Sequence, residues 1–254
     1  AIGEPIHRFG QNQFELFGLP SLTEGSVLGL LGPNGIGKST IMNILSGTLI
    51  PNLGDYENPQ DNWDKVIEHY KGSALQNYFT KLAAGEIKAV LKPQMVDQLP
   101  KVVKGKVSDL LTNVDERGKL DYVCDELDLH NVLDREMKNL SGGELQRLAI
   151  AATLSKDAEI YLFDEPTAFL DVEQRLIAAR VIRKMVESRN AASLIVDHDI
   201  VFIDYISDRA MVFNGTPGLE GHASKPTDLR TSMNEFLGNL NITFRRDKDC
   251  LLYT

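Results

Sequence analysis

Short apolar runs alternate with amphipathic segments along this chain, which is typical of strands connected by helices. Three runs, 26–31, 158–163 and 192–196, are apolar almost throughout. Apolar runs of this length are typical of strands that are buried on both faces, as in a parallel sheet. A further strand is predicted over 87–91. The pattern therefore predicts an α/β fold.

Apolar residues at helical spacing predict helices between these strands. One helix follows the first apolar run and ends at Gly47, a long helix covers 172–187, and another lies near 231–237. The last segment, 241–247, is predicted to be extended and basic.

The middle of the chain predicts an inserted helical unit. Residues 100–139 are polar with a helical pattern, and a strongly apolar helix follows at 148–154. We expect a helical subdomain over 100–156, set into one domain that covers 1–254.

A second insertion is predicted after a loop over 51–64 that is rich in Asn, Asp, Gly and Pro. Two short amphipathic faces follow and are separated by Gly72, so we predict a helix–loop–helix over 62–85. Four lysines lie in or beside it, and they are either ordinary solvated charges or a basic contact surface. They are Lys65, Lys71, Lys81 and Lys88.

The stretch Gly32–Thr40 has the strongest chemical pattern. It contains G-x-x-x-x-G-K-[ST] between a predicted strand and a predicted helix, the context that identifies a phosphate-binding P-loop. Glycines let the backbone wrap the phosphates, and the first helical N–H groups present positive partial charge. Lys38 would neutralise the β- and γ-phosphates, and Ser39 would offer a hydroxyl to Mg²⁺. The predicted nucleotide contacts here are Asn34, Gly35, Gly37, Lys38, Ser39 and Thr40.

Acidic residues follow the second apolar run, as in a Walker B motif. Asp164 is placed to hold Mg²⁺, and Glu165 is placed to orient and deprotonate a water molecule. His198 follows the third run, and ligands bind at the carboxyl ends of parallel strands. We therefore predict that Glu165 and His198 are catalytic.

Two further features fit a nucleotide. Ser141, Gly142 and Gly143 open the apolar helix, so Ser141 is predicted to cap it and the glycines to form a second anion site. Phe9 precedes the P-loop and is either an aromatic platform for a base or a core residue.

Composition narrows the class of protein. The chain has 254 residues, a hydrophobic content of 43% and a net charge of −9, which argues against general coating of nucleic acid. No apolar run approaches the roughly 20 residues of a membrane span, so we expect no membrane partner. The only cysteines are Cys124 and Cys250, which fits a reducing, cytoplasmic location.

The order of motifs resembles that of ATP-binding cassette (ABC) ATPases. A P-loop, Gln94, the signature LSGGE, the acidic pair and the histidine at a strand end follow one another as in that family. The resemblance implies that Phe9 stacks on adenine, that Gln94 is the Q-loop glutamine, which contacts Mg²⁺ and takes part in catalysis, and that His198 is the switch histidine. It also implies that Phe169, Leu170 and Asp171 form the D-loop.

A narrower resemblance is to the ribosome-recycling ABC ATPases of subfamily E, the RNase L inhibitor family. It rests on the P-loop and on the strings HRFG at 7–10, LQNYF at 75–79, KPQMVD at 92–97 and NITFRRD at 241–247. In that family the helix–loop–helix contacts the small ribosomal subunit, so the resemblance implies such a contact for residues 62–85.

The sequence also departs from this family. Members carry two cassettes and a cysteine-rich iron–sulfur domain, whereas this chain has one cassette and two cysteines. Residues up to Gly118 resemble the first cassette, and residues 172–247 resemble the second. Thr167, Ala168, Phe169 and Asp197 differ from the commonest family residues. We therefore expect a natural fragment, a shortened relative, a chimera or a designed chain.

The resulting prediction is a Mg²⁺-dependent ATPase that closes head to tail on a second cassette, in a homodimer or with another domain. One copy cannot enclose the γ-phosphate, because the P-loop and the signature face opposite sides of it. Two other functions stay open, namely the motor domain of a transporter and a binding module gated by ATP without hydrolysis. The helix–loop–helix favours a ribosomal partner over a membrane partner.

Overall fold

The computed structural model of the chain describes residues 4–11, 13–239, 245–247 and 250–252. The predicted extended ending at 241–247 therefore lies partly outside the described residues. In the described part, the strands are β1 (His7–Arg8), β2 (Glu15–Phe17), β3 (Val27–Leu31), β4 (Ala89–Lys92), β5 (Ile160–Asp164), β6 (Ala192–Val196), β7 (Arg209–Thr216), β8 (Glu220–Ala223), β9 (Arg245–Asp247) and β10 (Cys250–Leu252).

Helices fill the connections between the strands. The helices are α1 (Lys38–Leu45), α2 (Asp64–His69), α3 (Ala74–Ala83), α4 (Leu99–Val102), α5 (Val107–Val114), α6 (Leu120–Glu126), α7 (Gly142–Ser155), α8 (Val172–Arg189), α9 (Ile200–Ile206) and α10 (Leu229–Asn239). Short 3-10 helices lie at Val96–Gln98, His130–Val132 and Met137–Asn139.

An eight-stranded sheet forms the centre, in the order β1-β2-β8-β7-β3-β6-β5-β4. The five strands from β7 to β4 are all parallel, whereas β1 pairs with β2, and β7 with β8, in antiparallel fashion. Strands β3, β5 and β6 are buried along their whole length, as their apolar sequences predict. The fold is the predicted α/β architecture.

Side chains alternate between two cores, one on each face of the sheet. In β3, Leu28 and Leu30 pack with α1, α2 and α3, while Val27 and Leu31 join the core that contains α5 to α9. The sequence did not predict β8, because Gly221 and His222 lack the apolar pattern of a core strand. Strand β8 lies between β2 and β7, where it attaches the N-terminal hairpin to the parallel sheet.

Residues 62–85 form two helices around an aromatic cluster. Phe79 is fully buried, and the rings of Trp63, Tyr70 and Tyr78 lie 5.1–5.6 Å from it, centre to centre. The Tyr78 hydroxyl donates to the carbonyl of Leu45 at the end of α1. The apolar side chains of this insertion therefore fix it to the helix that follows the P-loop.

Candidate nucleotide-binding site

Four adjacent parallel strands end at one edge of the sheet and bring the predicted site residues together. Along the order β3-β6-β5-β4, the strand ends lead into the P-loop, then His198, then Asp164 and Glu165, and finally Gln94. The carboxyl edge of a parallel sheet is the usual position of a ligand site. Each of these groups therefore faces the same region although they are far apart in sequence.

The P-loop has the backbone that its glycines permit. Gly35 and Gly37 have φ angles of 74° and 95°, in the left-handed region that favours glycine. A Cβ atom on Gly37 would also overlap the ring of Phe14. Helix α1 begins directly afterwards at Lys38, so its unpaired N–H groups open toward the loop.

Lys38 is buried inside the loop. Its Nζ atom donates to the carbonyl of Gly32 at 2.5 Å, and the residue is only 6% exposed. Burial lowers the pKa of Lys38, while the carboxylates of Glu165 and Asp164 oppose this change. A phosphate is a stronger acceptor than a carbonyl, so an anion in the loop would attract this ammonium group.

Ser39 and Asp164 form an oxygen pair of the kind that Mg²⁺ uses. The Ser39 hydroxyl donates to Oδ2 of Asp164 at 3.1 Å. Burial, together with Glu165, raises the pKa of Asp164, and the bond from Ser39 opposes this. No group of three or more His, Cys, Asp or Glu side chains suited to a metal occurs among the described residues. Mg²⁺ is commonly held by one or two protein oxygens together with substrate phosphates, so this pair fits it.

Glu165 is held in an uncommon conformation by several neighbours. Its φ angle is 48°, which non-glycine residues seldom adopt. Its N–H donates to the carbonyl of Val196 at 2.7 Å, and its carbonyl accepts from Nε2 of Gln146 at 2.8 Å. Nε2 of His198 lies 2.6 Å from Oε1 of its carboxylate. The backbone and the side chain of Glu165 are thus both fixed.

Lys92 is a site residue that the sequence reasoning missed. It is fully buried at the end of β4, and its Nζ atom donates to the carbonyls of Asp164 at 2.8 Å and Glu165 at 3.3 Å. Burial lowers the pKa of Lys92 to about 8, although the nearby carboxylates oppose this. The available signal was a lysine at the end of an apolar strand, where a charge needs a buried partner.

Asp197 links the end of β6 to the turn that follows Glu165. It is 2% exposed, and its carboxylate accepts from the hydroxyl of Thr167 at 2.7 Å and from the Asp199 N–H at 2.9 Å. The N–H of Thr167 donates to the same carboxylate at 3.0 Å. Two of the positions at which the resemblance implies a departure from the commonest family residues therefore bond to each other.

An open cleft of about 400 Å³ lies over the P-loop. Phe9 is 51% exposed at this cleft, which favours the platform alternative over the core alternative. The cleft is lined by Phe9, Phe14, Asn34, Gly35, Gly37, Lys38, Ser39, Thr40, Gln94, Asp164 and Glu165. His198 lines an adjoining cleft of about 380 Å³, which shares Glu165 with the first.

The signature residues lie apart from both clefts. Ser141 caps α7 as predicted, because its hydroxyl accepts from the N–H of Glu144 and the Glu144 side chain accepts from the N–H of Ser141. A Cβ atom on Gly142 would lie 3.0 Å from the ring of Phe169, and one on Gly143 would lie 3.1 Å from the Phe169 carbonyl. Ser141, Gly142 and Gly143 line neither cleft. The signature therefore packs on the D-loop of its own chain.

Residues 20–168 match the family described as ABC transporter. The chain belongs to this family. It is an ABC ATPase domain with the predicted order of motifs, and none of its described helices is long and apolar enough to cross a membrane.

Three similar proteins show which members of the ABC family this chain resembles. An uncharacterised ABC transporter ATP-binding protein of Methanocaldococcus jannaschii is 49% identical over 95% of this cassette. A solved RNase-L inhibitor is 51% identical over 95% of it, with a TM-score of 0.89. An archaeal ribosome recycling factor, solved in complex with a ribosomal stalk protein, is 48% identical over 98% of it, also with a TM-score of 0.89.

The cassette corresponds to part of each of these relatives. It spans 40% of the Methanocaldococcus protein and 47% and 50% of the two solved chains. Its similarity therefore covers one portion of longer chains.

Proposed function

We propose that this cassette binds and hydrolyses ATP with Mg²⁺ between itself and a second cassette, and that it serves ribosome recycling in the cytoplasm. One observation carries the ATPase part of this proposal. The P-loop, the Ser39–Asp164 pair and the Glu165–His198 pair converge on one edge of the sheet. Phosphoryl transfer needs little more than such positioning and charge stabilisation.

Binding would divide between the base and the phosphates. Phe9 would stack on adenine, since an exposed ring favours a flat π-partner. The backbone of the P-loop, from Asn34 to Thr40, would surround the phosphates, and Lys38 would turn from the Gly32 carbonyl to the β/γ-phosphates. Ser39 and Asp164, with Gln94 beside them, would hold Mg²⁺.

Hydrolysis would centre on Glu165. Its carboxylate would accept a proton from the attacking water, and the bond from His198 would keep it aimed at the cleft. When bound, Mg²⁺ neutralises charge on the phosphate oxygens. Lys38 would stabilise the charge that develops on the leaving phosphate.

A second cassette would complete the site. In one copy the cleft lacks the signature residues, and the first N–H groups of α7 are suited to an anion. We propose that Ser141, Gly142 and Gly143 contact the γ-phosphate held by a partner cassette, either a second copy of this chain or another domain.

The test of the ATPase proposal compares the wild-type cassette with Lys38→Ala. We expect Mg²⁺-dependent phosphate release and tight ATP binding by the wild type, and loss of both in the variant, because Lys38 is the cation buried in the P-loop. Calorimetry and a phosphate-release assay measure these quantities. Near wild-type ATP affinity in Lys38→Ala would refute the P-loop assignment.

The proposed role in ribosome recycling rests on the similarity to the relatives and on the helix–loop–helix. The aromatic side chains of residues 62–85 are used to attach this unit, which leaves its outer face polar. Lys65 and Lys81 are exposed there and have no ion pair among the described residues, whereas Lys71 and Lys88 pair with Glu68 and Glu116. We propose that Lys65 and Lys81 contact phosphates of the small ribosomal subunit.

Co-sedimentation with small ribosomal subunits tests this contact. Lys65→Glu with Lys81→Glu should weaken binding strongly and reduce its salt dependence. The matched control is Lys101→Glu with Lys104→Glu, which makes the same charge change on the exposed surface of the helical subdomain. Binding of the wild type to membrane fractions instead of ribosomal subunits would favour the transporter alternative.

A further inference from the structure

Asn52 lies in the loop after α1 and makes a paired contact with the strand that leads to Phe9. Its Oδ1 atom accepts from the N–H of Arg8 at 2.9 Å, and its Nδ2 atom donates to the carbonyl of Arg8 at 2.6 Å. Oδ1 also accepts from the N–H of Gly54 at 3.2 Å. The side chain is 5% exposed. Strand β1 lies at the edge of the sheet, and the buried Asn52 amide supplies the hydrogen bonds that a further strand would make to Arg8.

Two more bonds extend this pairing along β1. The N–H of Asn52 donates to Nδ1 of His7 at 3.3 Å, and the N–H of Leu53 donates to the carbonyl of Ile6 at 2.8 Å. Leu53 has a φ angle of 53°, which is uncommon for a branched residue. Such conformations persist where the surroundings fix them, and they cluster at functional positions.

Phe9 follows this anchored segment directly. Its ring is exposed and lies in a T-shaped arrangement with the buried His7 ring, with the two centres 4.7 Å apart, and its centre is 6.4 Å from that of the Phe14 ring. Its own N–H donates to the carbonyl of Phe14 at 3.3 Å, a long bond. Phe9 is therefore placed by Arg8 and His7, which Asn52 holds, together with Phe14.

We infer that Asn52 is a positioning residue that orients Phe9 for stacking on the adenine base of the nucleotide. This inference rests on the stacking role proposed for Phe9. The P-loop, which would hold the phosphates, precedes α1, and Asn52, which holds the segment that carries Phe9, follows α1. A platform fixed before binding loses less conformational freedom on binding.

The orientation of the Asn52 amide follows from the chemistry of Arg8. The backbone of Arg8 presents one donor and one acceptor, so the oxygen of the amide must face the N–H and its NH₂ must face the carbonyl. Asn52→Ala removes both bonds. Asn52→Asp keeps the shape but places an oxygen against the Arg8 carbonyl, so it should also release Phe9.

The test separates the base from the phosphates by measuring binding of Mg-ATP and of Mg²⁺ with inorganic triphosphate. Asn52→Ala should weaken ATP binding about tenfold, which is within the range of one lost base–aromatic stack, and leave triphosphate binding within about twofold. Asn58→Ala is the matched control, since Asn58 is exposed in the same loop and, within the described part of the chain, bonds only to Asp55 and Gln60. Asn52→Asp replaces Asn52→Ala if the latter does not fold.

A double-mutant cycle with Phe9→Ala completes the test. If Asn52 acts through Phe9, Phe9→Ala with Asn52→Ala binds ATP no more weakly than Phe9→Ala alone. Additive losses of ATP affinity in the double variant, or an equal loss of triphosphate binding in Asn52→Ala, would overturn the inference. Neither result would contradict the assignment of the nucleotide site. If Phe9→Ala alone does not change ATP affinity, the proposed stacking role is wrong, and the role of Asn52 is wrong with it.

Discussion

Nε2 of His198 lies 2.6 Å from Oε1 of Glu165. The two residues follow neighbouring parallel strands, β6 and β5, so the sheet itself sets this distance. The side chain of Glu165 is 16% exposed and that of His198 is 45% exposed. The histidine therefore covers part of the carboxylate, and Glu165 lines both the cleft over the P-loop and the adjoining cleft.

Glu165→Gln should keep ATP binding and nearly abolish hydrolysis. An amide preserves the shape of the side chain but does not accept a proton, and general-base catalysis typically contributes about 10²–10⁴-fold. Phosphate release at saturating Mg-ATP measures the loss. The variant should also accumulate as an ATP-bound dimer in size-exclusion chromatography. Glu187→Gln, at the far end of α8, is the control, and unchanged hydrolysis in Glu165→Gln would mean that another group is the base.

Gly142→Asp tests the composite site. A carboxylate at the start of α7 would repel the γ-phosphate held by a partner, so hydrolysis should be lost while ATP binding by the single chain survives. Mixing this variant with Lys38→Ala should restore phosphate release above either parent, because one intact site forms from two defective chains.

The control for this experiment is Gly142→Ala. A Cβ atom there lies 3.0 Å from the ring of Phe169, so alanine reproduces the crowding without the charge. We expect Gly142→Ala to lose much less activity than Gly142→Asp. A silent mixture with intact ATP binding would show that homodimers are not the active form.

Lys92→Met should lower the turnover number about tenfold with little change in ATP affinity. It removes the cation that donates to the Asp164 and Glu165 carbonyls, but it leaves the P-loop untouched. Of the two side chains that donate to the Glu165 carbonyl, only Gln146 would then remain. Lys88→Met on the exposed surface is the control. A loss of ATP affinity equal to the loss of turnover would contradict a positioning role.

Acid should destabilise the fold through His7. Burial lowers the pKa of His7 from 6.5, and its Nδ1 atom accepts from the N–H of Asn52, which requires the neutral ring. The unfolded chain therefore takes up this proton first as the pH falls below about 6.5, and the free energy of unfolding decreases until the folded pKa is passed.

His7→Gln supplies the comparison for this prediction, since it is neutral at every pH and keeps an acceptor. Urea unfolding of both proteins from pH 7.5 to pH 5 should show a larger decrease for the wild type. If the free energy of unfolding decreases equally with pH in both proteins, protonation of His7 does not affect stability.

The sequence by itself determined the local chemistry. The phosphate-binding function of a G-x-x-x-x-G-K-[ST] loop can be predicted from adjacent residues, because the loop conformation and the position of the helix N–H groups depend on neighbours in the chain. The apolar runs likewise predicted β3, β5 and β6 with their ends within a residue or two, since a strand buried on both faces must be apolar throughout.

Only the tertiary structure decided which distant groups meet. The strand order β3-β6-β5-β4 places His198 against Glu165, and no local pattern specifies that order. Lys92, Gln146 and Asn52 escaped the sequence reasoning for the same reason. Each is a polar side chain whose partner is a backbone group that is remote in sequence. A backbone carbonyl is chemically identical at every position, so only the fold can show which one a buried donor reaches.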